Sequence, residues 1–160
     1  MKSFILNSAL YIFLILSQVF FTALIAPFNT INIISAYLVL LFWTDDFEKV
    51  FLAALVLGVM SDFVNRAPFL GIGGVEFSFA LLSIVVLRYT IITSENRISL
   101  FFLSMVFNAV YYAIEIARNF HFSAAILEEA LFEIIINSIL TFAAYVFIDF
   151  FTSQVRKDFI

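Results

Sequence analysis

The side chains of this 160-residue chain that could do chemistry are carboxylates set in apolar surroundings. Asp62, Glu76, Glu115, Glu129 and Glu133 stand within or at the ends of long apolar runs, and Arg118 lies three residues after Glu115. Carboxylates so placed can hold a cation, take up a proton or pair with a base. Glu129, Glu133, Asn137 and Thr141 follow one another at intervals of four, which puts them on one face of a helix. Asn108, Tyr112 and Glu115 make a comparable face on the preceding run, and Glu128 adds a further carboxylate beside the first stripe. One reading is a polar pocket for a small solute or a cation. The other is a polar weld, in which Arg118 neutralises one carboxylate and the rest join helices or touch lipid headgroups.

Other chemistries fail on composition. With one histidine, His121, and no cysteine, neither a zinc protease nor a Cys–His pair can be assembled, and disulfides and iron–sulfur clusters are excluded. No Gly-x-Ser-x-Gly elbow occurs. An aspartyl protease needs two carboxylates sharing a site, yet Asp62 and Asp149, each near the end of its helix, are expected on opposite sides of the bilayer. Asp62 with Glu115 or Glu133 is possible in space, though no spacing singles that pair out. The Gly71-Ile72-Gly73-Gly74 turn has no Lys-Ser/Thr of a phosphate-binding loop and no preceding strand, so it is read as a turn and flexible helix start after Pro68. The chain is expected to be no enzyme, to carry no metal or cofactor, and to have no nucleic-acid partner.

The elements that position these groups follow from the hydropathy. Apolar residues make up 64% of the chain and charged ones 12%, more oil than a soluble core of this length could hide. At about 20 residues per crossing there is room for six transmembrane helices in one all-α bundle spanning 1–160, predicted near 4–25, 31–43, 48–64, 72–92, 98–118 and 127–151. The breaks are polar or helix-breaking: Pro27 and Asn29; Asp45, Asp46, Glu48 and Lys49; Asn65 to Gly74; Ser94-Glu95-Asn96-Arg97; and Asn119-Phe120-His121. The second run is short and is read as starting early, near Phe28, or as partly re-entrant. Small residues repeat at intervals of four on helix 3 (Ala54, Gly58, Asp62) and on helix 5 (Ala109, Ala113, Ala117). That spacing lets backbones approach closely in lipid, and both faces are expected inside the bundle.

Basic residues set the orientation. With the amino terminus in the cytoplasm, Lys2, Lys49, Arg88, Arg97, Arg156 and Lys157 lie inside and only Arg66 and Arg118 outside. Both termini are therefore expected in the cytoplasm, and the polar cluster in the outer half of the membrane. The first run is too long for a signal peptide and lacks a cleavage site, so it is expected to stay as an anchor. The net charge of −4 is uninformative about partners, since most acids sit at helix ends.

From Leu38 to Tyr89 the sequence resembles the rod-shape-determining protein MreD family. The resemblance is carried by Leu40-Leu41-Phe42-Trp43 closing a short second span, by Leu57-Gly58-Val59-Met60-Ser61-Asp62 at the end of the third, and by Pro68-Phe69-Leu70-Gly71 leading into the fourth. Phe69 separates Pro68 from Leu70-Gly71, where the family often has Pro-Leu-Gly directly. The resemblance implies a non-enzymatic scaffold of the bacterial cell-elongation machinery, multi-pass in the plasma membrane among its lipids. It would bind an MreC-like single-span protein and help couple MreB filaments to the peptidoglycan synthase of RodA and its transpeptidase. Ala54, Gly58, Asp62, Pro68, Gly71, Ala109 and Ala113 are then the expected packing or partner positions. The outer polar cluster comprises Glu76, Glu115, Arg118, Glu129, Glu133 and Asn137. The family is also similar in fold to the S components of energy-coupling-factor vitamin transporters, which implies the alternative of an outward-facing solute site. The first run lacks the Ala-x-x-x-Ala pattern by which many S components dock their transport partner, and loop 1–2 is short; both points favour the scaffold.

Overall fold

The computed structural model describes residues 2–24, 31–64, 69–92, 96–119 and 123–157. The expected positions Arg66, Pro68 and His121 lie outside them. Six helices form, with no strand among the described residues: α1 (Lys2–Leu24), α2 (Ile33–Thr44), α3 (Phe47–Val64), α4 (Ile72–Thr90), α5 (Arg97–Asn119) and α6 (Ala124–Lys157). The helix bounds mostly fall within three residues of those predicted; α6 runs six residues further, to Lys157. Among the described residues three helices are long and apolar enough to cross a membrane: α4, α5 through Arg118, and α6 from Ala124 to Phe150. Successive helices alternate in direction. We call the end at which α3 and α5 finish and α4 and α6 begin the upper end.

α2 is the hub. It packs against all five other helices. Its Leu38 and Val39 are fully buried among Val50, Ala53 and Leu57 of α3, Leu81 and Ile84 of α4, and Leu100, Leu103 and Phe107 of α5. The outer surface is as apolar as the core: Phe13, Phe63, Phe79, Ile98 and Phe147 are all exposed. A surface of this kind suits hydrocarbon, where apolar side chains face outward without cost.

The α3–α4 hairpin has the closest contact in the bundle. A Cβ on Gly58 would run into the backbone of Gly73 and Gly74, and one on Gly73 would come within 2.7 Å of Asp62 Oδ1 and 3.0 Å of the Gly58 carbonyl oxygen. Gly71 turns the chain into α4 with φ +100°, the left-handed region in which glycine carries no Cβ penalty. At that turn Asp62, buried at the end of α3, accepts hydrogen bonds through Oδ2 from the amides of Gly71 (2.8 Å) and Gly73 (2.9 Å). Gly71 has no side chain with which to cap α4, so Asp62 of the neighbouring helix does it, bringing negative charge to the positive end of the helix dipole. Asp62 therefore acts as a clasp between two helices.

At the lower end, Arg97 meets Asp149 at 2.8 Å and Lys49 meets Asp45 at 2.9 Å, both in exposed settings that contribute little to stability. Arg88 donates to the Phe42 carbonyl (3.1 Å) and lies over the rings of Phe42 and Trp43, fastening α4 to the end of α2.

Candidate functional site

The polar residues of the upper end separate into a buried network and an open recess. The network begins where α2 starts. An α-helix leaves its first amides without intrahelical acceptors, and burying them bare is costly. Here the Asn32 side chain accepts from the Ser35 amide (3.0 Å), Gln18 of α1 accepts from the Ile33 amide (2.7 Å), and Asn137 of α6 accepts from the Asn32 amide (2.6 Å). Gln18 also donates to the Ile31 carbonyl at 2.7 Å. Asn137 lies midway along the apolar stretch Ala124–Phe150, so α2 starts near the mid-height of α6. With 12 residues α2 is about 18 Å long, little more than half of a typical hydrocarbon layer.

Asn137 uses its amide group fully. Nδ2 donates to the Glu133 carbonyl (2.9 Å) and to the Tyr112 hydroxyl (3.1 Å). The stripe foreseen on α6 thus runs from solvent to core: Glu129 exposed, Glu133 half-buried, Asn137 and Thr141 fully buried. We expect Asn137→Leu to cost about 1–3 kcal/mol, because it strands the Asn32 amide without an acceptor. Asn137→Asp, which keeps one, should lose less, as read by thermal unfolding in detergent.

Arg118 does not choose the partner its spacing suggested. Its Nη1 lies 2.8 Å from Oε1 of Glu76 on α4, a charge contact without good hydrogen-bond alignment, rather than at ion-pair distance from Glu115 one turn back on its own helix. The Glu76 side chain is 4% exposed and that of Arg118 38%. Below the pair, the Phe77 ring stacks on Tyr111 at 4.8 Å and Phe107 at 6.4 Å, so α4 and α5 are joined by an ion pair above and aromatic rings beneath.

With Arg118 engaged by α4, the carboxylates of Glu115, Glu129 and Glu133 are left to line a recess of about 450 Å³ between α5 and α6. Tyr112, Ile116, Ile126 and Ala130 complete its wall. It adjoins an apolar groove of about 360 Å³, and Tyr112, Ile116 and Ala130 line both. Ala109 and Ala113 lie in that groove. The expectation that the alanine face of α5 packs inside the bundle is corrected here: Ala109, Ala113 and Ala117 are all exposed, because the opposite face of α5 supplies the core through Leu100, Leu103 and Phe107. On α3 the expectation holds, with Ala54 and Gly58 buried.

The parts that sequence reading missed are Gln18, Asn32 and the Phe77–Tyr111 stack. Asn32 three residues before Ser35, ahead of an apolar run, is a helix-start signature that would have moved the predicted start of α2. Comparison with known proteins gives no matching family model, no matching curated protein and no matching solved structure.

Proposed function

We propose that this chain is a six-span, non-enzymatic membrane scaffold of the MreD type, with both termini in the cytoplasm and its upper end outside, binding an MreC-like single-span protein in the bacterial plasma membrane. The observation that carries this reading is the use made of the motif residues. Gly58, Asp62 and Gly71, the positions on which the resemblance rests, are spent on closing α3 against α4. Residues consumed in this way support a part that holds a shape for another protein rather than one that turns over a substrate. Through its partner such a scaffold would link MreB filaments to the RodA–transpeptidase synthase.

The test is a mild-detergent pulldown of the tagged full chain from bacterial membranes, together with reporter fusions. We expect recovery of a single-span protein with a large external domain, a cytoplasmic reporter signal after Lys157, and an external one between Arg66 and Pro68. A reporter active outside at the carboxyl terminus would overturn the orientation. Co-recovery of ATPase subunits would favour the S-component reading. That second reading draws its support from the recess of about 450 Å³, large enough for a small solute. A rise in unfolding temperature with a vitamin, abolished by Glu115→Gln with Glu133→Gln, would establish it.

A further inference from the structure

The α5–α6 pair presents to the surroundings a surface that is unusual in two respects at once. Ala109, Ala113 and Ala117 stand exposed at intervals of four on α5, and Ala109 and Ala113 line a groove together with Ala130 of α6. Ala109, Ala113 and Ala130 form the small-residue part of a groove otherwise lined by Ile116, Leu127, Leu131 and Ile134, whereas many other exposed positions among the described residues carry Phe, Leu or Ile. Acyl chains gain nothing from such spacing, but a helix does, because it can bring its own backbone close. Toward its upper end the groove shares Tyr112, Ile116 and Ala130 with the recess holding Glu115, Glu129 and Glu133. Among the described residues none of these carboxylates has a basic partner at ion-pair distance, and the one cation nearby, Arg118, is held by Glu76.

We propose that the α5–α6 groove is the seat of another protein's transmembrane helix, one with small residues on the contacting face and an Arg or Lys at the level of Glu115, Glu129 and Glu133. The apolar groove takes the body of the helix, and the recess takes its cation. A basic side chain inside a membrane is costly unless paired, and three carboxylates crowded in one recess are costly unless neutralised, so each side removes the other's penalty. The inference rests on the scaffold reading for the identity of the partner, but not for the chemistry of the groove.

The test uses the full chain in phosphatidylcholine vesicles and two synthetic spanning peptides. One has alanine at every fourth position on one face and an Arg in its upper third; the other has Leu in place of that Arg. Energy transfer between labelled protein and peptide reads the affinity. The Arg peptide should bind about fivefold or more tightly than the Leu peptide. The triple change Glu115→Gln, Glu129→Gln and Glu133→Gln should erase that advantage, and Ala113→Phe, on an exposed position that leaves the core intact, should weaken both peptides. Equal binding of the two peptides, or binding unaffected by Ala113→Phe, would overturn the assignment. So would displacement of the Arg peptide by phosphatidylethanolamine, which would give the groove to a lipid amine. If the peptide binds as expected while the native pulldown yields no single-span protein, the groove stands and the scaffold reading falls. If the pulldown succeeds and Ala113→Phe leaves it unchanged, the reverse holds.

Discussion

Gly58→Leu is expected to abolish the folded bundle, or to lower its stability by about 3 kcal/mol or more, at or beyond the upper end of ordinary overpacking. Even a Cβ at this position would collide with Gly73 and Gly74, and the atoms it meets belong to backbone, which has no rotamer in which to escape. Relief could come only from separating α3 from α4, which would pull Asp62 away from the Gly71 and Gly73 amides and uncap α4 as well. Gly71→Ala gives the contrast. Its Cβ meets nothing within 4 Å, so only the backbone penalty of positive φ remains, about 1–2 kcal/mol. Size-exclusion behaviour and thermal unfolding in detergent distinguish the two. A Gly58→Leu variant as stable as the parent would mean that α3 and α4 do not cross at these glycines.

The second large effect is expected at Arg118. Arg118→Ala leaves the Glu76 carboxylate, 4% exposed, with no cation beside it. Breaking a buried pair costs about 3–5 kcal/mol, and the partial exposure of Arg118 brings the expectation down to about 2–3. Adding Glu76→Gln should recover most of the loss by removing the stranded charge. Adding Glu115→Gln with Glu133→Gln should recover much less, although sequence spacing alone points to those residues as the partners. Midpoints from thermal unfolding of the single, double and triple variants decide the matter. Rescue by the Glu115 and Glu133 changes but not by Glu76→Gln would show that Arg118 serves its own helix and α6.

How far the sequence could be read depended on whether the needed information was local. Helix positions came through because polar clusters and glycines break apolar runs, and the period of four placed Glu129, Glu133, Asn137 and Thr141 correctly on one face. The direction in which a face points did not come through. In a membrane the lipid side and the core side are both apolar, so the alanines of α5 looked the same as the small residues of α3, and only packing distinguishes them. The choice of partner was equally invisible. Arg118 could reach Glu115 on its own helix, and its pairing with Glu76 depends on how α4 is seated by the Gly58 contact and the Phe77–Tyr111 stack. The short second run was legible as short, whereas its mid-height start needed Asn137, far along the chain, to be seen.

That distance bears on the order in which the molecule can be completed. Asp62 and its two amides are 9 and 11 positions apart, so the α3–α4 hairpin can close as soon as its own residues have been made. The Asn32 amide and its acceptor on Asn137 are 105 positions apart. During synthesis, which proceeds from the amino terminus, α2 must wait for α6 before its first turn is sealed. Any factor that delays α6, such as a stalled ribosome or a truncating mutation before Asn137, leaves a 12-residue helix whose Asn32 amide lacks its acceptor. The start of α2 is therefore the part of the molecule that is completed last.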